Sequence, residues 1–301
     1  MVKKLLDFLR IAGAGLLLAV NSVVHILPLL LVALVKLIVR IAPMTRGCDH
    51  VLAAIAASWI GVNSWLFDHL TDTRVEVDGL PGADMQGQML VVCNHQSWVD
   101  IPVLQKLFNR RLPLLRFFLK SQLIWVPLLG LAWWALDFPF MKRYSRAQIE
   151  RRPELAGRDI TATRRACRKF RDIPVAIVNF VEGTRFTPAK HAEQDSPHDN
   201  LLKPRAGGMA FTLDAMGDVL DTLVDVTIAY PDGRPSLADL FANRVGTIRV
   251  EIRRLPIPER FRGGDYQNDP AFRRGIQDWI NELWEDKDRA LARLQPTAPV
   301  D

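Results

Sequence analysis

From Ile11 to Val39 the chain reads IAGAGLLLAVNSVVHILPLLLVALVKLIV, an apolar run with Lys36 near its far end. About 20 apolar residues cross the hydrocarbon core of a bilayer, so the run predicts a membrane-contacting helix. Asn21, His25 and Pro28 interrupt its middle. Proline removes a backbone donor and tends to kink a helix, which leaves a hairpin dipping into one leaflet open beside a full span. Lys3, Lys4 and Arg10 precede the run and Lys36, Arg40 and Arg46 end it, so the basic flanks set no orientation. A second apolar stretch, Val51 to Leu70, carries Trp59 and Trp65. Tryptophan settles at membrane interfaces, which predicts a second membrane-contacting helix, with an ordinary core helix as the other reading. The first run exceeds the roughly 7–15 residues of a secretory h-region and no A-x-A site follows it, so an uncleaved anchor is expected.

After Thr71 the pattern changes. TRVEVDGL alternates with the period of a strand and is closed by Gly79 and Pro81. Strands are then expected at Met89–Cys93, Leu114–Leu119, Val175–Phe180, LVDVTIAY and GTIRVEIRRL, and helices at Trp98–Phe108, Arg158–Phe170 and Gly208–Met216. Thr187–Asn200 reads as a polar loop. Phe272, Ile276, Trp279, Ile280 and Leu283 recur at helical spacing within Pro270–Leu294, predicting a C-terminal amphipathic helix. The alternation predicts an α/β fold with a mixed sheet flanked by helices and an N-terminal membrane-associated helical segment. The expected division is 1–70 for anchoring helices, 71–265 for the catalytic domain and 266–301 for the C-terminal helix and tail.

Composition narrows the function. A chain of 301 residues with 49% hydrophobic and 24% charged positions supports a real core and excludes a disordered linker. Its formal charge of +6 biases the surface toward anions. No zinc-finger, RRM or helix-turn-helix pattern accompanies that charge, so nucleic acid is not an expected partner. Cys48, Cys93 and Cys167 are odd in number and lack C-x-x-C spacing, which indicates a reducing compartment and buried apolar cysteines rather than a disulfide framework or metal site.

Two motifs carry chemistry. In Asn94-His95-Gln96-Ser97-Trp98-Val99-Asp100, five positions separate His95 from Asp100. On an unbroken helix that offset turns side chains about 140° apart, so a turn must intervene. With His95 on the loop after a strand and Asp100 in the first turn of the next helix, the carboxylate can take one imidazole N–H and leave the other nitrogen as a base. Ser97 can cap that helix as readily as react. A structural histidine is the plain alternative. In Phe180-Val181-Glu182-Gly183-Thr184-Arg185, Gly183 permits a tight turn with exposed N–H groups, Thr184 offers a hydroxyl and Arg185 can grip a phosphate with paired donors. An ordinary strand-to-turn junction is the alternative here. Both motifs follow predicted strands, whose carboxyl ends collect at one edge of an open α/β sheet.

NHQSWVD followed about eighty residues later by FVEGTR resembles the glycerolipid acyltransferase family, the PlsC-like group that includes 1-acyl-sn-glycerol-3-phosphate and other lysophospholipid acyltransferases. Lys120-Ser121-Gln122-Leu123 with Pro127 and Gly130 is similar to a third block of that family, and Phe140-Met141-Lys142-Arg143 to a fourth. The resemblance covers Glu76 to Pro231 and favours the branch whose last block reads like VTIAYP; Asp137 stands where the fourth block often begins with glycine. It implies transfer of a fatty acyl group from an acyl thioester, acyl-CoA or acyl carrier protein, to the hydroxyl of a lysophospholipid acceptor, foremost 1-acyl-sn-glycerol 3-phosphate, at a membrane lipid surface. His95 would be the base, Asp100 its orienting partner, and nearby N–H groups would support the oxyanion. Arg185 and Lys120 would hold the acceptor phosphate while Glu182, Gly183 and Thr184 shape its pocket, with Arg143 on the phosphate, on the donor or in an ion pair. No cofactor and no metal is implied. The implied location is the cytoplasmic face of the inner membrane if the source is bacterial.

Phe117, Phe118, Trp125, Trp133 and Trp134 can line an acyl path or fill the core, and the basic segment Arg164, Arg165, Arg168, Lys169 and Arg171 can meet anionic lipid or an acyl carrier, or form a solvated helix face. Two rivals stand beside the acyltransferase: a metal-dependent hydrolase using His95, Asp100, Glu182, His191 and His198, and a non-catalytic membrane-anchored lipid-binding protein.

Overall fold

The computed structural model describes residues 2–39, 41–82, 85–141, 151–152, 167, 170–171, 173–220, 222–264, 266 and 268–295. The chain begins with two long helices, α1 (Val2–Ile38) and α2 (Ala42–Leu70). Pro28 lies inside α1 and does not end it; the chain reverses instead just before Pro43, in the first turn of α2. Partners across the pair run in opposite senses. Asn21 Nδ2 donates to Asn63 Oδ1 at 2.8 Å and to the Trp59 carbonyl at 3.1 Å, Trp59 Nε1 donates to Ser22 Oγ at 3.2 Å, and His25 Nε2 meets Ser58 Oγ at 3.0 Å. The polar positions that interrupt the apolar run are therefore the cross-links of an antiparallel hairpin, since polar side chains between apolar helices hold them together. Both helices are long and apolar enough to cross a membrane. Leu5, Phe8, Leu16, Val20, Leu27, Leu31 and Leu34 of α1 remain exposed, and an apolar face of this extent marks membrane association.

Behind the hairpin lies a six-stranded sheet in the order β1-β8-β7-β2-β6-β3. Its strands are β1 (Arg74–Asp78), β2 (Gln88–Cys93), β3 (Leu115–Phe117), β6 (Val175–Phe180), β7 (Thr222–Ala229) and β8 (Thr247–Pro256). Only the β7–β8 pairing is antiparallel, so the sheet is mixed. β4 (Leu119–Lys120) and β5 (Phe140–Met141) form a separate two-stranded ladder, which splits the single strand expected over Leu114–Leu119.

The central strands are buried on both faces and read as continuous apolar runs for that reason. Alternate residues serve two cores. Leu90, Val92, Val175, Ile177 and Leu223 pack against α6 (Gly207–Met216) and α8 (Pro270–Leu294). Met89, Val91, Ala176, Val178, Val224 and Val226 pack against α3 (Asp100–Phe108), with Phe67 of α2. Asp269 caps α8 by accepting from the Ala271 and Phe272 N–H groups, and Pro270 opens the helix where no N–H is needed.

The hairpin is fastened to this body by α4 (Leu129–Ala135), whose Ala132 and Ala135 pack with Ile26, Leu29 and Leu52, and by Asn109 Nδ2, which donates to the Ala57 carbonyl at 3.0 Å. A short helix, α7 (Leu237–Phe241), follows β7. One further expectation changes: the stretch read as a polar loop contains α5 (Pro188–Gln194), capped by the Thr187 hydroxyl. Most of the helix expected over Arg158–Phe170 lies outside the described residues, as do Arg164, Arg165, Arg168 and Lys169; Arg171 pairs with Asp218. The three cysteines are buried and free.

Candidate active site

β2 and β6 are parallel neighbours in a register that pairs Cys93 with Phe180. Two chain segments therefore leave the same sheet edge side by side, one carrying Asn94-His95 and the other Val181-Glu182. Cys93 also pairs with Val226 of β7 on its other side. The Asn94 side chain prolongs that ladder, donating to the Ile228 carbonyl at 2.8 Å and accepting from the Ile228 N–H at 2.9 Å.

The chain then turns into α3, with Asp100 as its first residue. One oxygen of this fully buried carboxylate accepts from His95 Nδ1 at 2.8 Å, from the Gln96 N–H at 2.8 Å and from the Ser97 N–H at 2.9 Å. The other accepts from the Tyr230 hydroxyl at 2.6 Å. A carboxylate held by these donors is an acceptor only, so the proton of His95 sits on Nδ1 and Nε2 presents a lone pair. No protein group among the described residues bonds that Nε2. The imidazole stacks on Phe180 with centroids 4.0 Å apart, which fixes its plane. Ser97 is occupied: its hydroxyl donates to the Pro235 carbonyl and accepts from the Val99 N–H at 2.9 Å.

Glu182 joins the two motifs. It is fully buried, and its oxygens accept from the His95 N–H at 2.7 Å and the Leu202 N–H at 3.0 Å. Burial pushes its carboxyl up to about 8, against the pull of those two N–H donors. Glu182 is thus a brace that shapes the site through the backbone. Gly183, at φ +70°, completes a turn by donating to the Phe180 carbonyl at 2.8 Å. Only glycine adopts that conformation without strain. The N–H groups of residues 95, 96, 97 and 183 are used inside the loops as above, and that of Phe186 on the His95 carbonyl at 2.8 Å.

Thr184 Oγ1 accepts from Lys190 Nζ at 2.7 Å, and the same ammonium reaches the Arg185 carbonyl at 3.0 Å. The Arg185 guanidinium lies 4.2 Å above the Trp98 ring. Lys120 sits exposed beyond β3 on the same sheet edge, but no hydrogen bond or ion pair joins it to the other residues named. Arg143 lies outside the described residues. Among the described residues no three His, Cys, Asp or Glu side chains converge on a common point, so the ligand set of the metal-hydrolase reading is not assembled. His191 turns its Nε2 to the His198 carbonyl instead, at 2.5 Å.

A family model described as Acyltransferase matches residues 74–230, just over half of the chain. The chain belongs to this acyltransferase family. It is 27% identical to the "Probable 1-acyl-sn-glycerol-3-phosphate acyltransferase 5" of Arabidopsis thaliana over 247 residues, covering 78% of this chain and 60% of that protein. It is also 27% identical to "Lysocardiolipin acyltransferase 1" of Danio rerio over 265 residues, covering 81% of this chain and 62% of that protein. The chain therefore spans about three fifths of the length of these relatives. The solved structure of the 1-acyl-sn-glycerophosphate (LPA) acyltransferase PlsC from Thermotoga maritima shares its fold, with a TM-score of 0.58, 17% identity and coverage of 98% and 99% of the two chains.

The site contains groups that the motif reading did not single out. Tyr230 follows β7 and lies beside Asp100, and burial with the neighbouring carboxylate holds its phenol protonated, well above its ordinary value of 10. Gln96, Lys190 and Arg234 complete the rim. Tyr230 stood within a quoted block, yet nothing in strand periodicity reports which buried tyrosine reaches a carboxylate beyond the neighbouring strand. Replacing Tyr230 by Phe removes one bond to a buried charge, of about 1.5–3 kcal/mol. The expected result is a loss of about 2 kcal/mol of stability, with kcat lowered severalfold; an unchanged unfolding midpoint would rule out that role for the hydroxyl.

Proposed function

We propose that this chain transfers a fatty acyl group from an acyl thioester to the free hydroxyl of a lysophospholipid, with 1-acyl-sn-glycerol 3-phosphate as the acceptor. The observation carrying the proposal is the His95–Asp100 pair: Nδ1 is tied to a buried carboxylate at 2.8 Å and Nε2 is left unbonded. His95 Nε2 takes the proton of the acceptor hydroxyl as that oxygen attacks the thioester carbonyl carbon. Collapse of the tetrahedral intermediate breaks the C–S bond, and the leaving sulfur takes the proton from the imidazolium. Asp100 remains ionised throughout and stabilises the imidazolium. Nothing is acylated on the enzyme, in keeping with the occupied hydroxyl of Ser97.

Arg185, next to the Phe186 that bonds the His95 carbonyl and stacked on Trp98, holds the acceptor phosphate. Guanidinium offers paired donors suited to phosphate oxygens. Lys120, on the same edge, supplies further positive field toward the anionic substrates. The exposed apolar side chains Trp125, Leu128, Leu131 and Trp134, with the outer face of α1, seat this edge against the lipid surface where the acceptor resides. Three free buried cysteines fit a reducing compartment, which supports the cytoplasmic face of the inner membrane as the location if the source is bacterial. The donor is a thioester of coenzyme A or of an acyl carrier protein; no resident cofactor or metal enters this scheme.

The test is direct. Detergent-solubilised protein is incubated with labelled acyl thioesters and a panel of lysolipids, and products are read by mass. A diacyl product is expected with 1-acyl-sn-glycerol 3-phosphate, and no acylated lipid from any acceptor would end the proposal. Within that assay, Arg185→Ala is expected to raise the acceptor KM about tenfold or more, with kcat changed far less, since hydrogen bonds to charged groups contribute about 1.5–3 kcal/mol. Unchanged acceptor KM would remove the phosphate role from Arg185.

A further inference from the structure

The loop after β7 places a second guanidinium on the same rim. Arg234 Nε donates to the Gln96 side-chain oxygen, one residue from the base. Its guanidinium carbon lies 3.8 Å from the centre of the Phe186 ring, and Phe186 is the residue whose N–H holds the His95 carbonyl at 2.8 Å. Gln96 is itself fixed from behind, because its amide donates to the Asn200 carbonyl at 3.1 Å. Asn200 and Asp199 are in turn anchored through their N–H groups to Asp288 of α8, at 2.8 and 2.9 Å. Arg234 therefore sits on a chain of contacts rooted in the core, although the residue itself is exposed.

Arg185 and Arg234 share an unusual condition. Each is stacked on an aromatic ring, and neither is ion-paired among the described residues. Other arginines among the described residues reach carboxylates: Arg171, Arg244, Arg249, Arg253, Arg289 and Arg293 all do. Asp232, two residues before Arg234, is turned away to accept the Gly246 and Thr247 N–H groups at 3.2 and 3.3 Å. Stacking orients a guanidinium plane without consuming its outer N–H donors, so both forks stay available to an anion. Their ring platforms, Trp98 and Phe186, belong to the two loops that meet at His95.

We infer that Arg234 is the second arm of the acceptor site and selects a phosphate monoester headgroup over a diester. A monoester carries about −1.5 to −2 charges near neutral pH and three terminal oxygens, enough for two guanidinium forks. A diester carries a single charge and two such oxygens, and its second substituent occupies space that one fork would need. The inference rests on the acyl-transfer reading and adds to it a residue and a discrimination.

The test compares the parent with Arg234→Gln and Arg234→Lys, using 1-acyl-sn-glycerol 3-phosphate and a lysophosphatidylglycerol as acceptors. Arg234→Gln is expected to raise KM for the monoester tenfold or more with kcat within threefold, and to change KM for the diester less than threefold. Arg234→Lys, which keeps the charge but loses the planar fork, should fall between. Glycerol 3-phosphate, a monoester without an acyl chain, should inhibit the parent competitively and lose that effect in Arg234→Gln. Equal KM shifts for both acceptors, or a fall in kcat alone, would overturn the inference, because a residue that merely holds the Gln96 loop would act on both acceptors alike. A parent that acylates only the diester overturns it as well. A parent that acylates neither acceptor sinks the acyl-transfer reading itself, whereas an active parent whose monoester-to-diester ratio is unmoved by Arg234→Gln sinks the inference alone.

Discussion

Replacing His95 by alanine is expected to lower kcat about 10³-fold, in the range that loss of a positioned general base produces, while leaving the fold intact. Two features set the size of the effect. The imidazole tautomer is dictated by an acceptor-only carboxylate that is itself saturated by two backbone N–H groups and the Tyr230 hydroxyl. Removing the ring leaves no neighbouring group to take the proton, since the Ser97 hydroxyl is engaged at both its donor and an acceptor position and Glu182 is turned inward onto two N–H donors. The fold should tolerate the change because the imidazole lies at the lip of the site, 13% exposed, and the loop is held by its backbone. The measurement is steady-state transfer with saturating acyl thioester, alongside thermal unfolding of the same preparation. A His95→Ala protein that retains a tenth of the parent rate would refute the base assignment. A large shift in unfolding temperature would instead reassign His95 to a structural role.

The sheet was legible because its strands are buried on both faces. VAIVNF and LVDVTIAY are mostly apolar runs of strand length bounded by turn residues, and they sit within a residue or two of β6 and β7. The amphipathic stripe through Ile276, Trp279, Ile280 and Leu283 marked α8 with the bounds that the structure has, Pro270–Leu294. What periodicity could not supply was the meaning of polar residues in apolar surroundings. Asn21 and His25 look like breaks in a membrane segment, and become cross-links only once α2 lies opposite to offer Asn63 and Ser58. The same holds at the site. His95 and Asp100 were legible because they are five residues apart and must meet locally. Arg234 reaches Gln96 from 138 positions away and Tyr230 reaches Asp100 from 130, and no local pattern encodes either. Thr187–Asn200 was misread because Pro, Lys, His and Gln resemble a loop, while the Thr-Pro pair that begins it is also a helix start, the capping hydroxyl followed by proline in the first turn.

The largest effect on stability is expected far from the chemistry, at Lys287. Its ammonium is fully buried beneath the sheet and donates to Asp225 Oδ1 at 2.6 Å, the Val226 carbonyl at 2.7 Å and Thr227 Oγ1 at 3.2 Å. Asp225 points to the α8 side of β7, and its second oxygen takes Arg253 at 2.7 Å. The ammonium gives its three N–H donors to these acceptors, and Arg253, the second cation on Asp225, also pairs with Asp286 at 3.2 Å, so the network ties α8 to the strand that delivers Tyr230 to Asp100. Lys287→Met fills similar volume but removes one of the two cations facing a buried carboxylate. Breaking such a pair costs about 3–5 kcal/mol, because the remaining charge stays out of water. For a domain of this size that corresponds to a fall of roughly 10 °C in the unfolding midpoint. The companion variant, Lys287→Met with Asp225→Leu, removes both charges and should recover much of the loss, since a buried pair replaced by apolar groups is often near neutral. Thermal unfolding of the three proteins in one detergent decides the matter. If Lys287→Met melts with the parent, or if the double variant is as unstable as the single one, the buried charge is not what holds α8 against the sheet.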